Sequence, residues 1–391
     1  MAKRTQKMQS STIRELLKIT QQPDVISFAG GLPAAEFFPV REIEEACSYL
    51  LHNEPKWALQ YSTTEGHLPL REYIAESMHK YGIMHTADNI LITTGSQQAL
   101  DLIGKIFIDP ESYVVTGRPT YLGAIQAWRA YEGEFITIPL DDDGMQVHLL
   151  EEIAQKIAVR FVYVLPNFHN PAGTTLPRER RELLVEIARK YDLVIIEDDP
   201  YGALRYEGED LMPIAAMAPE RTIYLGTFSK TLTPGLRIGW ITAPAEIAYR
   251  LVQGKQGADL HSSTFDQMIA NDIAQRGILK MHVRRLRQVY KERRDTMLDS
   301  LTEFWPEECS WTHPQGGLFL WARAPEDINT QEFMPKAIEK KVAFVPGVHF
   351  FPYADGGYNA MRLNFSNAQP EQIVEGIRRL GWAFKEELTR H

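Results

Sequence analysis

The chain has 391 residues, 44% hydrophobic and 24% charged, an ordinary globular composition with room for a deep, dry site. A formal net charge of -9 argues against a general nucleic-acid-binding role. The two cysteines, Cys47 and Cys309, have neither metal-ligand nor redox spacing, which reads as reduced thiols, and no segment is long and apolar enough to span a bilayer.

The basic residues 1–4 lead into residues 10–17, which read as a capped amphipathic helix rather than an apolar signal segment. The expected location is the cytoplasm. Short β-rich apolar runs then alternate with helical stretches. Residues 90–93 precede a helical run at 97–103, and 113–115 precede one around 124–130. Residues 135–138 form another strand, 161–165 precede a helix over 178–191, and 193–196, 223–225 and 238–241 complete the set. Nearly continuous apolar strands separated by helices predict an α/β fold, with a mostly parallel sheet covered on both faces. Residues 141–144, Asp-Asp-Asp-Gly, read as an exposed turn.

From about residue 279 the pattern changes. A long helix over 281–303 carries Arg284, Arg285, Arg287, Lys291, Arg293 and Arg294, read as a solvated face rather than a nucleic-acid patch because the chain is acidic. Strand-like runs at 316–321 and 360–365 suggest a smaller α+β domain. The expected division is an N-terminal arm at 1–45 packing with the small domain, a large domain at 46–280 and a small domain at 281–391.

Open sheets of this kind hold ligands beyond the carboxyl ends of their strands. Gly95-Ser96-Gln97 opens a helix after a strand, which suits a phosphate or simply a helix cap at Ser96. Asn170 precedes a proline in a turn after a strand, and reads as a site amide or an ordinary Asx-turn. Neighbouring His169 reads as a locally satisfied polar residue. Asp198 ends a buried strand and needs a partner, for which a protonated ring nitrogen would serve; the plain alternatives are a structural carboxylate or a metal ligand. The eleven histidines are scattered without ligand spacing, so no metal site is expected. Lys230 lies among hydroxyls just after the run 223–225, with Arg237 beyond it. An amine held there can form a Schiff base with a carbonyl cofactor while hydroxyls and a cation bind a phosphate; the plain alternative is a surface lysine in a turn.

Together these segments resemble the aspartate-aminotransferase superfamily of pyridoxal-phosphate (PLP) enzymes, fold type I. Residues 26–33 (ISFAGGLP), Phe38-Pro39 and residues 60–66 (QYSTTEG) narrow the resemblance to the branch of 2-aminoadipate (LysN-like) and kynurenine/aminoadipate aminotransferases. It covers essentially the whole chain, from Ser11 to the strand of Arg362.

The resemblance implies that Lys230 carries the cofactor as a Schiff base and then shuttles a proton. Asp198 would pair with the ring nitrogen, Asn170 and Tyr201 with the ring hydroxyl, and Tyr121 would stack on the ring. Gly95, Ser96, Gln97, Thr227, Ser229 and Arg237 would form the phosphate site, with Tyr61 supplied by the neighbouring subunit of a homodimer. Arg362, with Asn170 and Gly31, would hold the substrate, and Arg14 on a mobile N-terminal helix would meet an acidic side chain. Thr227 replaces the serine common at its place but keeps the hydroxyl. The implied reaction is transamination between an L-amino acid and a 2-oxo acid, 2-oxoglutarate above all, ping-pong through pyridoxamine phosphate. Acidic, aromatic and branched-chain substrates are expected. A PLP β-lyase or decarboxylase is the alternative. The effector half of a GntR/MocR-type regulator is set aside because only about two dozen residues precede the first motif. A nicotinamide oxidoreductase is set aside because no strand is followed by G-x-G-x-x-G.

Overall fold

The computed structural model describes residues 1, 2, 5 and 24–389. Arg14 and the expected helix at 10–17 lie outside them. The centre of the larger unit is an eight-stranded sheet, in the spatial order Ile90–Thr94, Ile238–Thr242, Thr222–Thr227, Val194–Asp198, Val159–Val164, Tyr113–Arg118, Glu134–Asp141, Gly144–Met145. Pairings from Thr222–Thr227 across to Glu134–Asp141 are parallel. Ile238–Thr242 runs antiparallel to both of its neighbours. It reverses direction between two strands that point the same way. The carboxyl ends of the strands leading to Gly95, Asn170, Asp198 and Lys230 therefore share one edge with the start of the strand after Arg237.

Period-two alternation explains why both faces are covered. Val114, Phe161, Tyr163, Ile196 and Ile223 point to one face, where helices Ser96–Phe107, Leu122–Arg129 and Ala245–Gln256 pack. Their neighbours Val115, Val162, Val164 and Ile195 point the other way, onto helix Arg178–Lys190. The flank of that second face is filled by Leu68–His79 and Thr264–Gln275. Asp141 and Gly144 pair across a tight hairpin in which Gly144 takes φ +85°.

The smaller unit is a four-stranded antiparallel sheet, Ser310–Trp311, Phe319–Arg323, Ala360–Asn364 and Val345–Pro346, packed with helices Thr330–Glu339 and Pro370–Leu388. The N-terminal segment Ile26–Ser27 pairs with Val342–Ala343 and buries Phe28 in the same core. Helix Val40–Asn53 crosses the boundary expected at residue 45. Its buried Ala46 and Leu50 pack with Leu70 and Met268 of the larger unit.

Helix Ile278–Phe304 corrects one expectation. Arg293 and Arg294 are not on a solvated face but 2% and 4% exposed. The helix runs between the two units, and buried cations there need partners. Arg293 donates to the Ser366 carbonyl and pairs with Glu36. Arg294 donates to the Pro314 carbonyl and grips Glu207 through both terminal nitrogens. Those bonds, helped by Lys291, hold the Glu207 carboxyl down at about 2.

Candidate active site

Strand Thr222–Thr227 delivers Lys230 at its carboxyl end, in a turn closed by the Thr231 and Leu232 amides donating to the Phe228 carbonyl. Lys230 Nζ donates to the Gly31 carbonyl at 2.7 Å. Burial of the amine, with the Arg362 and Arg237 cations, lowers its pKa to about 8. An ordinary lysine is almost wholly protonated at neutral pH; this one releases its proton far more readily.

Asp198 ends the adjacent strand and is 2% exposed. Its Oδ2 accepts from the Tyr163 hydroxyl at 2.7 Å, while Oδ1 is buried with no partner. Burial raises the carboxyl to about 7, the Tyr163 bond pulls it down, and Asp199 pushes it up. Tyr163 was missed in the sequence. It sits on the next parallel strand, its ring held edge-on by Trp128 at 5.0 Å between centroids. The available signal was a tyrosine within a wholly buried apolar strand, whose hydroxyl had to find a partner.

Asn170, 3% exposed, links the two units. Its Oδ1 accepts from Arg362 Nη1 at 2.9 Å and its Nδ2 points to the Tyr201 hydroxyl at 3.4 Å. His169 is neutral, with burial lowering its pKa to about 3, and its Nδ1 accepts from the Ala172 amide. Arg362 also donates to the Ala29 carbonyl at 2.7 Å and lies over the Phe319 ring at 4.2 Å. Its Nε is buried without a partner, and burial lowers its pKa to about 10, so it stays charged. Ala29 and Gly31 thus tie the N-terminal segment to both cations of the cleft. Burial raises the hydroxyl pKa values of Tyr121 and Tyr201, so both remain neutral donors.

The turn Gly95-Ser96-Gln97 opens helix Ser96–Phe107, with Gly95 at φ +72°. A Cβ on Gly95 would lie 2.3 Å from Arg237 Nη2, so the guanidinium rests on the bare glycine. Gly239 has the same role from below: a Cβ there would meet the Ser96 nitrogen at 2.8 Å. Arg237 Nη2 donates to the Thr94 carbonyl at 3.3 Å. The Thr227 hydroxyl donates to the Ile238 carbonyl at 3.1 Å, accepts from the Ser229 amide at 3.1 Å and is hydrogen-bonded to the Ser229 hydroxyl at 3.0 Å. Gln97 donates to the Gly123 carbonyl at 3.0 Å, holding the turn against the segment of Tyr121. The Tyr121 ring lies across Gly123, where a Cβ would be 2.5 Å from it.

One expected residue stands apart within the chain. Tyr61 is 79% exposed, makes an edge contact with His261, and has no hydrogen bond or ring contact with the cluster. Arg14 lies outside the described residues.

These groups fit PLP by their own chemistry. The unpaired buried oxygen of Asp198 calls for a cationic N–H. The free amide edge of a helix start beside Arg237 suits a phosphate, and the two glycines let it approach. The Lys230 amine, its pKa lowered to about 8, follows the strand next to that of Asp198. Fold and site together define a fold-type-I PLP-dependent aminotransferase.

The comparisons agree. Residues 23–380 match the family model for aminotransferase class I and II. The chain is 50% identical over 390 residues to aromatic-amino-acid aminotransferase 1 of Thermococcus litoralis, covering 98% of this chain and 93% of that one. It is 44% identical to 2-aminoadipate transaminase of Thermus thermophilus, covering 97% and 95%. A solved kynurenine aminotransferase from Pyrococcus horikoshii, in complex with PMP, superposes with a TM-score of 0.95 at 44% identity, covering 99% and 97%. The chain belongs to the class I and II aminotransferases.

Proposed function

We propose that this enzyme moves an amino group between L-amino acids and 2-oxo acids in two half-reactions, with 2-oxoglutarate and glutamate as one pair. The observation that carries the reading is the placement of Lys230. Its amine is lowered to about 8 by burial and the Arg362 and Arg237 cations, and it follows the strand paired with that of Asp198, whose Oδ1 has no partner. Bound PLP supplies an electron sink that makes the Cα–H of an attached amino acid acidic.

The chain's own residues then have separable tasks. Lys230 Nζ would hold the cofactor and, as a free amine, would take the proton from the substrate Cα and deliver it to the cofactor. Asp198 Oδ1 holds the cofactor's ring N–H, and Asn170 and Tyr201 orient the ring hydroxyl. Tyr121 covers the ring face. The turn Gly95-Ser96-Gln97, with Ser229 and Arg237, holds the phosphate, and Thr227 organises Ser229 from behind. Arg362 grips the substrate α-carboxylate; its bonds to Asn170 and the Ala29 carbonyl and its stacking over Phe319 fix the guanidinium, and its Nε is an unpaired donor. Tyr61, exposed here, would complete the phosphate site of a partner subunit in a homodimer.

Substrates fall in the range that the relatives' names span: aromatic amino acids, 2-aminoadipate and kynurenine. Arg14 would select the acidic side chains. A screen of amino donors with 2-oxoglutarate tests the reading, with intersecting-line against parallel-line initial-rate plots as the test of ping-pong order. Oxo acid and ammonia formed from one amino acid without an acceptor would instead establish a lyase. For Arg14→Ala, an unchanged ratio of kcat/KM between acidic and aromatic donors would remove that residue from the substrate site.

A further inference from the structure

A second cavity, of about 470 Å³, lies behind the catalytic strands. It opens between helix Leu68–His79, the first turns of helix Ile278–Phe304 and the loop after Asp198. Neither Lys230 nor Asp198, Asn170, Tyr201 or Arg362 lines it. Its inner wall includes Asp199 and Thr227, each next to or bonded to a residue of the catalytic cluster.

The walls combine two chemistries. Tyr73, Met78, Tyr224, Phe228 and Trp240 give an aromatic and apolar floor, and the buried Trp240 indole N–H has no partner. Lys80, Lys280, Arg284 and Arg287 line the cavity as cations. The last three recur at helical spacing on one face of helix Ile278–Phe304. Among the described residues none of these four cations has an ion-pair partner; Arg287 donates to the Ala203 carbonyl at 2.7 Å, and Lys80 lies over the Tyr81 ring.

The acidic groups in the lining are already engaged. Asp199 accepts from Tyr224 at 3.0 Å and from the Gly202 amide at 2.8 Å, and Asp210 faces Arg205 at 3.8 Å. The cavity thus carries uncompensated positive charge in a chain whose net charge is -9. Like charges gathered at a concave surface raise the local potential and draw in an anion. An aromatic floor beneath them favours a flat apolar body over a bare ion.

We propose that this cavity is a second ligand site, for a small aromatic anion whose ring rests on the floor and whose carboxylate or phosphate meets the cations of the helix. The test is calorimetric titration of the holoenzyme with 1-naphthyl phosphate, 1-naphthoate and inorganic phosphate. At least one naphthyl anion should bind about tenfold or more tighter than inorganic phosphate, and the stronger of the two identifies the head group. Its affinity should fall about tenfold or more in Lys280→Glu/Arg284→Glu and by a smaller factor in Lys280→Ala/Arg284→Ala. It should be unchanged in Arg362→Lys, which perturbs only the catalytic cleft. Neither Lys280 nor Arg284 belongs to that cleft, so both double variants should keep wild-type kcat/KM. No binding by either naphthyl anion, equal affinity in the charge-reversed protein, or loss of binding in Arg362→Lys would each overturn the proposal.

Discussion

Replacing Tyr163 by Phe isolates the bond that sets the state of Asp198. The substitution removes one hydroxyl, 2.7 Å from Asp198 Oδ2, and leaves the ring against Trp128. In the apoprotein Asp198 then has neither oxygen hydrogen-bonded by a side chain, because Oδ1 already lacks a partner. A hydrogen bond to a charged group contributes about 1.5–3 kcal/mol, which is roughly one to two pKa units. Tyr163 pulls the Asp198 pKa down against burial, so its loss moves the carboxyl further above about 7. A carboxylate that ionises less readily holds a cationic ring nitrogen less well. The dissociation constant of PLP should therefore rise about 10- to 100-fold. Equilibrium dialysis of the cofactor measures this directly. A pH titration of holoenzyme absorbance should shift in Tyr163→Phe and shift likewise in Tyr163→Leu, which lacks the same hydroxyl and also disturbs packing. If Tyr163→Phe binds PLP as tightly as wild type, with the same absorbance titration, Asp198 is not governed by this bond and the reasoning fails.

Three further outcomes follow from the geometry. In the apoprotein, the rate of PLP attachment should climb as pH passes through about 8 and level off above it; a climb that continues toward the ordinary lysine range would contradict the depressed Lys230 amine. Gly95→Ala places a methyl 2.3 Å from Arg237 Nη2 at φ +72°, and should weaken PLP binding about tenfold or more by dialysis. Asp198→Asn should abolish transamination yet stabilise the apoprotein. The folded carboxyl titrates near 7 and the unfolded one near 3.8, so the folded state holds its proton longer and wild-type stability falls across that window. Urea melts of the two apoproteins should diverge as pH rises from about 4 to about 7, by up to a few kcal/mol, and run parallel above it. A gap that does not change with pH would show that Asp198 is not the group titrating.

What the sequence disclosed, and what it hid, follows from how local each interaction is. Strand and helix runs declare themselves in a few neighbouring residues. The edge of the sheet carrying Gly95, Asn170, Asp198 and Lys230 is therefore legible in the sequence. The antiparallel course of Ile238–Thr242 was not: its direction depends on a short reversal, through residues 228–237, that a continuous apolar run does not encode. Partners distant in sequence were equally hidden. Tyr163 and Asp198 lie 35 residues apart on adjacent strands, and Arg362 reaches Asn170 across 192 residues. Arg293 and Arg294 looked like solvent-facing cations because helical periodicity reports which residues share a face, not what that face meets. Glu36 and Glu207 supply the answer from elsewhere in the chain. The same limit applies to the cations of the second cavity. Arg284 and Arg287 occupy the same helix as Arg293 and Arg294, and only the fold separates two that are neutralised by carboxylates from two that face an open cavity. A run of basic residues on one helix thus serves two purposes, and the position of each residue along the axis decides which.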